Sequence, residues 1–139
     1  MKNCNTVKSV AFLFFLLFFS ACSSPKYSPE DLPQIAPKRV IWLKLEKINR
    51  ENTAISTEIL SVQGLENNET RWLLTDAFGA VKARVIATND GWKNDGFAPP
   101  NREARRLFQA IFSEVDKPVL AEKIIELGSD KWRIAPMSE

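Results

Sequence analysis

At 139 residues, 45% of them hydrophobic and 26% charged, the chain has the composition of one small globular domain and not of a disordered or fibrous protein. The formal net charge is only +2, and Lys2 and Lys8, the only charged residues before Cys22, account for it, so nothing in the balance points to nucleic acid. Histidine is absent, which removes the commonest general base and the commonest metal ligand.

Residues 10–19 are all apolar and include five phenylalanines. A basic head, a short apolar run and then Ser20-Ala21 have the order of a secretory signal. Ten residues are about half of what a membrane-spanning helix needs. Ser20-Ala21-Cys22 resembles the lipobox of bacterial lipoproteins, departing from it at Phe19, where that family usually has leucine. The resemblance implies removal of residues 1–21 and acylation of Cys22. Each buried CH₂ of an acyl chain is worth about 0.8 kcal/mol, so more than one chain gives stable membrane anchoring. An aspartate after the cysteine would resemble an inner-membrane retention signal. Ser23 stands there instead, which implies the periplasmic face of the outer membrane. Cys22 is the only cysteine left after cleavage, so no internal disulfide is expected.

Residues 22–39 hold four of the eight prolines, at 25, 29, 33 and 37. Proline fixes φ and removes a backbone donor, so an extended, semi-rigid tether is expected. Leu32 and Ile35 leave open the alternative of an arm docked on the domain. The folded domain is expected at 40–139.

Residues 40–48 predict a first strand, with Ile41, Leu43 and Leu45 on one face and Trp42, Lys44 and Glu46 on the other. Residues 54–63 predict a second, with Ile55, Thr57 and Ile59 on one face and Glu58 opposite. Two further strands, 71–75 and 81–88, flank Asp76-Ala77-Phe78-Gly79, where Gly79 suits a turn with positive φ. Asn89-Asp90-Gly91 is a turn signal before a short fifth strand that starts at Trp92 and ends near Gly96. Turns at near-even spacing predict an antiparallel meander. After Pro99-Pro100, Asn101 is a good N-cap, and Ala104, Leu107, Phe108, Ile111 and Val115 recur at helical spacing. Arg102, Arg105, Arg106, Gln109 and Ser113 fall on the opposite face, which either attracts anionic lipid heads or is simply solvated. Residues 119–127 fit a strand or a helix, and with 131–134 they read as a closing hairpin. The expected class is α+β, mainly β: an antiparallel incomplete barrel with one or two helices, one packed on the sheet.

Several strands are apolar on both faces, as at Trp42-Leu43, Trp72-Leu73-Leu74 and Val85-Ile86. A sheet wetted on one side alternates more cleanly. Either one face is a greasy hollow, or the sheet is sandwiched between the helix and the C-terminal segment. No phosphate-binding loop, nucleophile elbow, carboxylate pair or calcium loop is present in the sequence, so neither catalysis nor a cofactor or metal is expected. Phe78, a large apolar residue at a predicted hairpin tip, either folds back onto the core or protrudes.

The stretch Leu73-Leu74-Thr75-Asp76-Ala77-Phe78-Gly79, with a strand on each side, resembles the hairpin of the LolA/LolB-like family, nearest its LolB branch. The likeness runs from about residue 40 to 115 and is weak outside the turn. It implies an incomplete barrel whose apolar cavity takes acyl chains of lipids or lipoproteins. It also implies a protruding apolar tip, here Phe78, that enters a membrane. Trp42, Trp72, Leu74 and Val85 are then the expected cavity lining. A monomer, anchored by its N-terminal lipid and serving lipid or lipoprotein localisation, is expected. The alternative is a lipid-anchored protein–protein adaptor with a filled core. Replacing Cys22 with alanine is expected to abolish incorporation of labelled fatty acid and to leave an uncleaved or unacylated chain. Unchanged labelling of Cys22→Ala would contradict the anchor.

Overall fold

The computed structural model describes residues 31–117 and 121–137. Seven strands run β1 (Val40–Ile48), β2 (Ala54–Gly64), β3 (Thr70–Asp76), β4 (Val81–Thr88), β5 (Gly91–Asn94), β6 (Lys123–Leu127) and β7 (Asp130–Pro136), with helix α1 (Arg102–Ile111) between β5 and β6. They form one antiparallel sheet in the order β5-β4-β3-β2-β1-β7-β6. The first five strands are the expected meander. The closing hairpin does not cover the meander but extends it along the free edge of β1. Residues 123–127 are therefore strand, and the sheet is open and not closed into a barrel.

Register fixes which side chains share a face. Leu43, Leu60, Leu74 and Ala83 line up across β1 to β4, and Ile41, Val62, Trp72 and Val85 form the next row. Leu45 pairs with Ile134 on β7. Helix α1 packs on this inner face through Ala104, Leu107, Phe108 and Ile111, and Phe112 and Val115 just beyond it are buried too. Asn101 caps the helix, its side-chain oxygen accepting from the Ala104 N–H at 3.0 Å. Glu58 also faces inward, opposite Leu45, and is buried with its carboxylate held by the Lys82 ammonium. The core side of β2 is thus the one that carries Glu58, Leu60 and Val62, while Ile55 and Ile59 lie on the outer face.

The interior is closed by aromatic packing. Trp72 is fully buried, its ring centroid 5.3 Å from Trp92, 5.3 Å from Phe108 and 5.8 Å from Phe112. Its indole N–H donates to Thr70 Oγ1 at 2.8 Å, which removes the cost of burying a polar group. Aromatic pairs of this kind add about 0.5–1.5 kcal/mol each beyond their buried area.

Residues 31–39 are not a free tether. Leu32 and Ile35 are buried in the core cluster. The Gln34 N–H donates to Asp116 Oδ2 at 2.8 Å, and Pro37 makes an isolated bridge to Gly64. Backbone bonds from Lys38 N–H to Gly64 and from Gly64 N–H to Arg39 finish the seam. Burying an aliphatic side chain is worth roughly 1.5–3 kcal/mol, enough to outweigh the extended preference of the prolines. Residues 22–30 of the expected tether lie outside the described residues. A Cβ on Gly64 would collide with the carbonyl oxygens of Ile35 and Ala36, both backbone atoms that cannot swing away. Gly64→Ala is therefore expected to lift the arm and lower stability by about 1–3 kcal/mol, as overpacking does. Equilibrium urea unfolding measures this, and an unchanged midpoint would show that the arm is not held there.

Candidate functional site

The sheet has two dissimilar ends. The arm end carries the β2–β3 and β4–β5 turns and the docked residues 32–37. The tip end carries the β1–β2, β3–β4 and β6–β7 turns and the start of α1. The tip-end grouping follows from Lys47 of β1, which binds Glu103 of α1 at 3.1 Å and Asp130 of β7 at 2.9 Å. It follows also from Asn101 Nδ2, which donates to the Lys82 carbonyl at the start of β4.

Phe78 stands at the β3–β4 tip with 97% of its surface exposed, so it protrudes and does not fold back. Its backbone is held by Asp76, whose Oδ1 accepts from the Phe78 and Ala80 N–H groups, both at 2.9 Å. Gly79 N–H donates to the Asp76 carbonyl, and Gly79 takes φ +88°, a conformation that a side chain would oppose. A local Asx turn thus presents an apolar ring to the outside. Val81, next in the chain after Ala80, is 52% exposed.

A second ring, Phe97, lies fully exposed in the loop from β5 to α1. That loop is pinned at both ends. Asp95 accepts from Arg71 Nε at 2.7 Å and Arg84 Nε at 2.8 Å, and its N–H donates to the Arg84 carbonyl. At the far end Asn101 bonds Lys82 and caps α1. The loop therefore follows β4 from Arg84 back to Lys82, toward the end where Phe78 stands. Sequence reading missed Phe97, although Gly96-Phe97 before Pro99-Pro100 carries the same signal as Phe78-Gly79: a large apolar residue among turn formers.

Beside the tips, α1 and the β6–β7 hairpin enclose an open cleft of about 360 Å³ lined by Lys47, Arg102, Glu103, Arg106, Leu127, Asp130 and Trp132. The Lys47 ammonium sits 5.7 Å from the centre of the Trp132 ring. Hydrogen bonds to Asp130 and Glu103 hold its pKa above the ordinary lysine value. Arg102 and Arg106, one turn apart on α1, form no ion pair among the described residues.

The expected cavity lining does not come together. Trp72, Leu74 and Val85 are buried on the inner face beneath α1. Trp42 is on the opposite face, aligned with Ser61, Leu73 and Arg84, and is 45% exposed. Trp42 is one residue from inward-facing Leu43, whereas Trp72 is two from inward-facing Leu74, so strand alternation puts them on opposite faces. Among the described residues no element covers that outer face. Cys22 lies outside the described residues, and no helix among those described is long and apolar enough to cross a membrane.

No family model, curated protein or solved structure matches the chain. Nothing in these comparisons points to the LolA/LolB-like family.

Charge linkage gives the domain a defined acid response. Burial pushes the Asp95 carboxyl up, but the hydrogen bonds from Arg84 and Arg71 outweigh it and hold the group below its ordinary value. Hydrogen bonds from Lys44 and Arg133 hold Glu46 low as well. A carboxyl lowered on folding contributes stability that is present above its unfolded pKa, about 4, and is lost as pH falls through the folded value. Asp95→Asn is expected to be less stable than wild type at neutral pH, with the difference shrinking as pH falls below about 4. Melting curves across that range check it, and a pH-independent difference would remove the linkage.

Proposed function

We propose that the protein is a lipid-anchored envelope protein that engages the acyl chains of lipids or lipoproteins, with a LolB-like part in bringing them to the outer membrane. The single observation that carries this reading is Phe78, 97% exposed and held outward by the Asp76 turn. An apolar ring fixed in water has a free-energy incentive to meet an apolar phase, and the ordered turn means that little entropy is lost on contact. The lipobox-like Ser20-Ala21-Cys22 supports the anchor and the envelope location. The aromatic filling of the space under α1 bears on the mode of engagement. Acyl chains would be met at the surface of the tip and not inside the sheet.

The same filled interior favours a second reading, a lipid-anchored adaptor whose apolar tip meets a protein. Membrane binding by the chain starting at Ser23, which lacks the acylated cysteine, separates the two. Phe78→Leu is expected to keep co-sedimentation with liposomes, since an acyl phase asks only for apolar area. Phe78→Glu is expected to melt within about 0.5 kcal/mol of wild type, as exposed changes do, and to lose co-sedimentation. Undiminished sedimentation of a stable Phe78→Glu chain would leave the adaptor reading in place.

A further inference from the structure

We propose that the cleft between α1 and the β6–β7 hairpin binds a glycerophosphate group, whose phosphate is received by Arg102, Arg106 and the indole N–H of Trp132. The site stands apart from Phe78 and does not depend on what that ring meets. It starts from an orphaned donor. Trp132 faces inward from β7, beside Lys47 of β1, and is only 1% exposed. Its indole N–H is buried and has no hydrogen-bond partner among the described residues. Buried donors are nearly always paired, and the other fully buried tryptophan, Trp72, has its N–H on Thr70. Trp132 is at the same time a wall of the cleft, so an acceptor oxygen seated in the cleft can satisfy that donor.

Charge gives the acceptor its sign. The lining holds three cations, Lys47, Arg102 and Arg106, against two acids, Glu103 and Asp130, a net charge of +1. The two acids share the one Lys47 ammonium, at 3.1 Å and 2.9 Å. Arg102 and Arg106 form no ion pair among the described residues. Arg102 opens α1 and Arg106 follows four residues on. Side chains four apart on a helix are neighbours, so both guanidinium groups can reach one anion. Arg102 also stands at the positive end of the helix dipole, where a cation is disfavoured and an anion is favoured. The one acid of that first turn, Glu103, is taken up by Lys47.

Size and donor number narrow the ligand. A carboxylate offers two oxygens to these three groups, whereas a phosphate ester has oxygens enough for bidentate pairing with arginine and for the N–H as well. The cleft volume of about 360 Å³ equals roughly twelve waters, more than a bare phosphate fills. Leu127 and Trp132 offer an apolar wall to the carbon part of an ester. Glu103 holds Lys47 through Oε1 and Asp130 through Oδ2, which leaves the second oxygen of each to accept from hydroxyl groups. A phosphorylated small polyol matches this set, and glycerophosphate occurs both free and as a phospholipid head.

The full chain, isotope-labelled at its tryptophan indole nitrogens and held in dodecyl maltoside, a detergent without phosphate, tests this by NMR. The four tryptophans give four indole signals, and Trp132→Phe identifies the one in the cleft. Titration with α-glycerophosphate, or with phosphatidylglycerol added to the micelles, is expected to move the Trp132 signal saturably and to leave those of Trp42, Trp72 and Trp92 in place. A response to the lipid without one to free α-glycerophosphate assigns the site to a lipid head, and the reverse assigns it to a soluble ester. Arg102→Gln/Arg106→Gln is expected to weaken the response at least about tenfold, the loss of one charge-assisted hydrogen bond, with the melting temperature unchanged. Arg105→Gln, on the same helix but outside the cleft lining, is expected to respond as wild type does. A Trp132 signal that neither compound moves would overturn the site. So would equal movement with sodium chloride at matched ionic strength, an undiminished response in the double variant, or an equal loss in Arg105→Gln.

Discussion

The burial of Trp72 between the sheet and α1 is the constraint on which the rest of the molecule depends. Its ring touches Trp92 from β5, Phe108 from α1 and Phe112 from the turn beyond it, so one side chain joins elements that lie far apart in the chain. With the indole N–H satisfied by Thr70, the cluster carries little polar penalty. It sets the height of the helix above the sheet. A domain of this size cannot build both a large aromatic core and a wide apolar hollow on the same sheet face, since interiors pack to crystal-like density.

That choice leaves the remaining large apolar side chains at the surface. Trp72, Phe108, Leu107 and Val115 fill the interior, while Phe78 and Phe97 stand exposed. Both sit on segments whose backbone is tied at defined points, so their exposure is a property of the fold and not of loose loops. The electrostatic ties serve the same end. Asp95, shared by Arg71 and Arg84, fixes where the β5–α1 loop leaves the sheet. Lys47, shared by Glu103 and Asp130, holds the helix start against the last hairpin. Exposed ion pairs of this kind contribute little to stability, commonly under about 1 kcal/mol, but they determine which end of the sheet each loop faces.

The docked arm has a related effect. Leu32 and Ile35 close the core at the end opposite the tips, beside Asp116 and Gly64. The described chain therefore begins at the arm end, away from Phe78.

Much of the local structure was legible from the residues alone. Alternation located β1 to β4, the Asn101 cap and the 3.6-residue spacing located α1, and Asp76 with Gly79 located the turn that bears Phe78, because each signal acts over a few neighbouring residues. The signal-like order of residues 1–22 and the absence of histidine are likewise properties of sequence. Tertiary structure decided what pairing and packing decide. Residues 119–127 fitted two periods until the free edge of β1 took β7, and β6 behind it, as strands. The inward face of β2 was the one with Glu58, because register with Leu45 and Leu74 outranks the polarity of one carboxylate that Lys82 can neutralise. The prolines of residues 31–39 suggested a free tether, yet the apolar seat for Leu32 and Ile35 exists only once sheet and helix have met. Trp42 and Trp72 look alike in a hydropathy profile, and only strand alternation puts one in the core and the other on the open face.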